Sequence, residues 1–255
     1  MITLISPAKN LNNDRQNPTN ISSQIIFKNE ARRLGDILKS LEPESISALM
    51  NISSKLSQTV YNYYLDFDLD CYPQPLAKKA ILMFHGDVYK NINAHSLTHD
   101  QYQFSQTHIK ILSGLYGLIR PLDLILPYRL EMSTNIKITG QKLHDFWKEK
   151  ITTQLNKELA NHKNKIIINL ASNEYIKAVN QKTIKGKWIN VQFKELRNNK
   201  YATIGTLAKK ARGSMVRYIL DNSCDTIESL HGFNHNGYQL NEELTTNNNL
   251  IFTRE

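Results

Sequence analysis

The stretch from Lys110 to Met132, KILSGLYGLIRPLDLILPYRLEM, constrains the fold of this 255-residue chain more than any other. Gly114 and Gly117 stand in an apolar run, followed by Arg120-Pro121 and then Pro127-Tyr128-Arg129. Glycine in such a place means backbone that turns with positive φ or lies hard against a neighbour. Each proline removes a backbone donor and pushes the residue before it away from helical geometry. An apolar run therefore enters a glycine-framed turn and resumes as a short segment, delivering Arg120 and Arg129 beside rigid prolines. The arrangement resembles a helix-hairpin-helix, which lays the N–H groups of a turn against nucleic-acid phosphates. The usual hairpin has one apolar residue between its glycines, whereas this chain has Leu115 and Tyr116. The alternative is a turn packed under the core, with its glycines serving the fold.

Charge favours a polyanionic partner. The chain has 32 Lys+Arg against 23 Asp+Glu, a net charge of +9. Lys177, Lys182, Lys185, Lys187, Lys194, Arg197, Lys200, Lys209, Lys210, Arg212 and Arg217 share their segment with a single acid, Glu195. Eleven cations against one anion put +10 in that block and leave −1 for the rest. A concentrated block creates a local field that attracts polyanions, where an evenly basic surface only aids solubility.

The composition, 40% hydrophobic and 22% charged, is that of a globular chain. No apolar run approaches the ~18 residues that a membrane span needs. Met1 to Ile5 has no basic residue before it and meets Ser6-Pro7, which does not read as a signal peptide. Cys71 and Cys224 are the only cysteines, so no disulfide framework is expected; both read as structural and the chain as cytosolic.

Local patterns give the elements. Ile2–Ile5 reads as a buried strand, Phe27–Leu41 as a helix stopped by Pro43, and Glu44–Tyr64 as a further helix. Ala80–Phe84 reads as a second buried strand. Thr98 with Gln101 forms a capping-box pattern for a helix running towards Leu112. Leu143–Leu159 reads as a helix and Lys165–Leu170 as a strand. Lys187–Phe193 and Tyr201–Leu207 have strand content about a turn at Asn198-Asn199-Lys200. Leu207–Leu220 reads as a helix and Leu250–Thr253 as a closing strand. The expected fold is mixed α/β (α+β), one domain over 1–255 with a central mixed sheet and flanking helices.

On the last long helix, at about 100° per residue, Lys209, Lys210, Gly213 and Arg217 share a face opposite Ala211, Met215 and Ile219. A glycine inside a helix costs about 0.5–1 kcal/mol relative to alanine, so Gly213 is expected to admit a close backbone or ligand. Three polar clusters end apolar runs: Ser6–Lys9, Asp87 with Tyr89, and Asn169 with Ser172, Glu174 and Tyr175. Ligands of α/β sheets bind outside the carboxyl ends of strands, so these clusters could converge on one pocket. Each by itself is ordinary turn and cap chemistry.

His95 and His99 have H-x-x-x-H spacing but lack the glutamate of a zinc-protease motif. Thr98 as N-cap leaves His95 outside the helix, and no metal is expected there. His231 and His235 flank a polar loop and are weaker candidates. There is no P-loop, no G-x-G-x-x-G after a strand and no nucleophile elbow, so no cofactor is expected.

Seven segments in order resemble those of the YaaA family of bacterial peroxide-stress proteins: SPAK at 6–9, GDVY at 86–89, LSGLYGLIRPLDLILPYRLEM at 112–132, FW at 146–147, NLASNEY at 169–175, AKKARGSMVRYI at 208–219 and GFNHNGY at 232–238. The resemblance covers nearly the whole chain. It implies one compact α/β unit with a positively charged cleft and a helix-hairpin-helix-like turn. It also implies binding of duplex or distorted DNA and protection from peroxide by keeping free iron low. Lys209, Lys210, Arg212 and Arg217 are the expected phosphate contacts, with Gly114, Gly117 and Arg120 at the hairpin. A monomer is expected. The second reading is an enzyme acting on a nucleobase or nucleotide, with Lys9, Asp87, Arg129 and Glu174 in a strand-end pocket.

Overall fold

Short runs of isoleucine and leucine, apolar on both sides, become the inner strands of a sheet covered on both faces. In the computed structural model, which describes residues 1–12, 17–70 and 76–255, β1 (Ile2–Ile5) is wholly buried. It lies between β2 (Ile109–Ser113) and β4 (Ile166–Asn169), parallel to both. β2 turns back antiparallel into β3 (Gly117–Ile119). Beyond β4 come β5 (Lys187–Arg197) and β8 (Asn249–Arg254), both parallel, and an antiparallel edge strand β7 (Gln239–Leu240). β6 (Lys200–Ala202) folds back on the far end of β5. The strand order is therefore β7-β8-β5-β4-β1-β2-β3.

Helices cover this sheet: α1 (Lys28–Lys39), α2 (Pro43–Met50), α3 (Ser54–Leu65), α4 (Ala80–Met83), α5 (Asp87–Ile92), α6 (His99–His108), α7 (Leu143–Leu159), α8 (Asn173–Ile176) and α9 (Gly205–Asp221). The buried apolar cluster is continuous from Met1 to Phe252. No helix among the described residues is long and apolar enough to cross a membrane.

The elements depart from expectation where tertiary contacts outweigh local pattern. The expected 44–64 helix is split, because Asn51 takes φ 51° and Ser53 caps α3 through the Leu56 N–H. Ala80–Met83 is a helical turn and not a strand. Its N–H groups at Ala80 and Ile81 donate to the Asp123 and Pro121 carbonyls, both at 2.9 Å, which fixes the segment on the 121–123 turn. Only Phe84–His85 is extended, pairing with Asn10–Leu11. The capping box at Thr98 and Gln101 forms as expected, yet α6 ends at His108 and the chain to Ser113 is β2. Asn198 and Asn199 take φ 47° and 58°, the two positive values a tight hairpin turn needs. The returning strand stops at Ala202, since α9 begins at Gly205.

The opening segment is a β-hairpin with a buried turn, not a pair of helices. Every residue from Ile109 to Ile119 is buried. Gly117 has φ 71°, and a Cβ there would overlap the Trp147 ring. A Cβ on Gly114 would overlap the Leu130 carbonyl. The Trp147 indole N–H donates to the Gly114 carbonyl at 2.8 Å, and the Tyr116 N–H to Ser113 Oγ at 3.0 Å. The glycines thus serve the fold, and their backbone is buried. Cys224 is buried, and burial pushes its thiol up, which leaves it structural as expected. Cys71 lies outside the described residues.

Candidate functional site

The chain leaves β1 towards β2 on one side and β4 towards β5 on the other. That reversal falls between β1 and β4, and ligands of parallel sheets bind beyond the carboxyl ends of strands at such a point. Ser6 follows β1 and Ser172 follows β4. The Ser172 N–H donates to Ser6 Oγ at 2.9 Å, and Ser6 Oγ to Ser172 Oγ at 3.3 Å. The Tyr89 hydroxyl donates to the Ser6 carbonyl at 2.9 Å, and Gly86 stands against Ala8. The three polar clusters at the ends of apolar runs therefore do meet.

Their charged members are not assembled into one constellation. Lys9 and Arg129 are joined through Glu131, whose two oxygens lie 2.6 Å from Lys9 Nζ and 2.8 Å from Arg129 Nη2. Glu174 instead accepts from the Ser133 N–H and hydroxyl at 3.1 and 3.0 Å. Asp87 opens α5 half-buried and has no ion-pair partner among the described residues. The void walled by Lys9, Tyr128, Arg129, Glu131 and Tyr175 is about 20 Å³, room for a water and little else. Burial, and then the neighbouring Tyr128, push the hydroxyls of Tyr64, Tyr89 and Tyr175 far above the usual phenol range. These phenols stay neutral and serve as hydrogen-bond donors; Tyr64, for one, holds the Arg129 carbonyl at 2.9 Å.

Room for a ligand lies to either side of Asn173. One hollow of about 470 Å³ is lined by Ser133, Lys142, His144, Asn173, Glu174 and Lys177. A second, of about 460 Å³, is lined by Asn169, Asn173, Gln181, Asn190, Thr203 and Arg212. Asn173, at the start of α8, belongs to both walls, so the two hollows adjoin there, and together they are called the groove.

Asn169 and Asn190 line the second hollow and belong to an amide ladder that continues to Asn249. Parallel register sets Asn169 of β4 beside Asn190 of β5, and Asn190 beside Asn249 of β8. Asn169 Nδ2 donates to Asn190 Oδ1 at 3.0 Å, and Asn190 Nδ2 to Asn249 Oδ1 at 3.3 Å. The Trp188 indole N–H also donates to Asn190 Oδ1 at 3.0 Å, fixing the amide's orientation. Asn190 and Asn249 were not among the residues singled out from sequence. Only strand pairing brings them beside Asn169, and no local signal marks them.

The basic helix divides by role. Lys209 and Lys210 are exposed on the second turn of α9. Arg212 points into the amide-lined hollow with Nε buried and unpartnered, and burial pulls its guanidinium below the usual value. Arg217 faces the fold instead: Nε is bound to both Asp221 oxygens at 2.8 and 2.9 Å, and Nη1 to Ser96 Oγ at 2.5 Å. Gly213 admits backbone, since a Cβ there would overlap the Val88 carbonyl of α5. Arg120 is likewise committed, through Asp123 at 2.9 Å and the Gln24 carbonyl at 2.6 Å. Nor is the +10 block one surface, for Lys187 pairs with Ile166 at the amino ends of their strands, opposite Arg212.

Fold and groove together define a class: a mixed α/β protein with a polar, cation-bearing groove at the carboxyl edge of its sheet. The family model described as peroxide stress protein YaaA matches residues 1–244, and the chain belongs to that family. A UPF0246 protein of Francisella tularensis subsp. tularensis (strain WY96-3418) is 48% identical over 254 residues, with 100% of both chains covered. UPF0246 proteins of F. tularensis subsp. novicida (strain U112) and F. philomiragia subsp. philomiragia are 47% and 46% identical over the same length and coverage. The family's name ties it to peroxide stress.

Proposed function

We propose that the chain acts in peroxide-stress defence as a cytoplasmic monomer that binds duplex or distorted DNA along the groove and so helps limit iron-dependent damage. The observation that carries this reading is Arg212, a half-buried guanidinium with an orphaned Nε and no carboxylate partner among the described residues. A buried cation without a counter-ion is costly, and a phosphate entering the groove would supply one. Lys142 and Lys177 on the adjoining hollow extend the track, and Lys209 and Lys210 stand exposed earlier on the same helix as Arg212. His144 and the amides offer further donors.

If those five cations each neutralise a phosphate, log K against log salt should fall with a slope of about −4.5. Lys210→Ala with Arg212→Ala should weaken binding across sequences and flatten the slope by about 2. An unchanged slope in that variant would remove the groove from the interface.

The amide ladder favours a second reading, an enzyme acting on a nucleobase or nucleotide. Asparagine and glutamine present a donor and an acceptor together, as base edges require, and about 460 Å³ is room enough for a nucleotide. On this reading a nucleoside monophosphate raises the melting temperature of the wild type and not of Asn190→Ala. Equal shifts in both would end it. The chemistry would then lie in the amide-lined hollow, with Glu174 across Asn173, and not at the Lys9–Glu131–Arg129 triad.

A further inference from the structure

At the opposite edge of the sheet from the groove, His108, His162 and Asp225 each present one ligand atom, all within 4.8 Å of one another. His108 closes α6 immediately before β2, and His162 lies on the turn before β4. Asp225 lies just beyond α9. None of the three is used by the groove or its neighbours.

The cluster has the form of a ligand set with its supports already in place. His108 Nδ1 lies 3.0 Å from the Phe104 carbonyl and so carries the ring proton, leaving the Nε2 lone pair 3.7 Å from Asp225 Oδ1. The ring is stacked on Phe104 at 3.7 Å between centroids, which fixes its plane. His162 Nδ1 lies 3.0 Å from the Met1 amino group and accepts from it. The two rings stand edge to face, their centroids 4.9 Å apart. Asn164 Nδ2 donates to Asp225 Oδ2 at 3.1 Å, which leaves Oδ1 on the histidine side. His108 and Asp225 therefore have their other polar atoms bound to a backbone carbonyl and a side-chain amide, the arrangement that orients metal-binding histidines and carboxylates. Burial holds His108 down at about 4, which keeps its ring neutral.

We propose that His108, His162 and Asp225 form a binding site for a divalent first-row transition metal ion. Two imidazole nitrogens and one carboxylate are a donor set for zinc, cobalt, nickel or ferrous ions, and too nitrogen-rich for magnesium or calcium. The Met1 amino group now bridges Asp225 and His162. A divalent ion replaces it as the counter-charge of Asp225.

The test is a titration of the full chain, first stripped with a chelator, with cobalt(II) followed by its visible ligand-field bands, then by displacement with zinc(II). The wild type is expected to take up one tightly bound ion with the intense bands of a low-coordinate site. Loss of an outer-shell partner alone weakens metal sites by about 10–100-fold, so His162→Gln should weaken uptake by at least about 100-fold. Asp225→Asn should do the same, but it also removes the anchor of the Met1 amino group and so tests two things at once. His162, half-buried on a turn, therefore carries the decision. His231→Gln, at an exposed histidine outside the cluster, should bind as the wild type does. Octahedral-type weak bands in the wild type, or equal affinity in His162→Gln, would overturn the site and leave the cluster as a clamp for the amino terminus.

Discussion

Gly117→Val is expected to lower unfolding stability by about 4 kcal/mol, the sum of two separate penalties. A β-branched residue at φ 71° is strained by about 1–3 kcal/mol. Its side chain must also displace the Trp147 ring, and overpacking of that kind costs about 1–3 kcal/mol. Against a total stability of about 5–15 kcal/mol, that is a large fall in the urea midpoint. A midpoint equal to that of the wild type would mean that the turn does not pack as described. If the proposed DNA binding holds, the variant measured below its melt should bind DNA as the wild type does, because the turn is buried and makes no part of the groove. Lost affinity in the folded variant would restore the hairpin as a contact surface.

Asp123→Ala is expected to cost about 2–5 kcal/mol, since the Arg120 N–H and the Ser23 hydroxyl each cost about 1–3 kcal/mol when left unsatisfied. The carboxylate is fully buried, and burial pushes it above the usual carboxyl range while Arg120 pulls it back. It accepts from the Arg120 N–H at 2.8 Å, Arg120 Nε at 3.0 Å and Ser23 Oγ at 2.6 Å. Without it, the Arg120 N–H and the Ser23 hydroxyl lose their partner, and the 121–123 turn that anchors α4 loosens. A double-mutant cycle with Arg120→Ala measures the pair directly. Additive effects would show that the two side chains are not coupled.

Elements governed by nearest neighbours were legible in the chain. The capping box at Thr98 and Gln101 needs only four residues to form, and Asn198-Asn199 supplies its own positive φ. Runs such as IIIN could only be buried strands, and Trp147, Ile151 and Leu155 could only face a core. The short apolar run at Ala80–Met83 was not legible, because four apolar residues lack a period and its anchors lie some forty residues away at Pro121 and Asp123. The same reason turned the glycine pair into a β-hairpin. What decides Gly114 and Gly117 is a carbonyl at Leu130 and a ring at Trp147, and neither is visible from the turn itself.

The sites divide along the same line. Residue types and charge determined that this chain carries a basic, polar-ended α/β fold, because patterning and composition act locally and add up along the sequence. Which cations remain available was a tertiary decision. Arg120 and Arg217 are taken by Asp123 and Asp221, while Arg212, of the same chemistry, points into a hollow with no acid to meet it among the described residues. The amide ladder of Asn169, Asn190 and Asn249, and the cluster of His108, His162 and Asp225, join residues far apart in the sequence. Strand order and register bring them together, and those are set by how the whole hydrophobic core closes, a property no segment holds by itself.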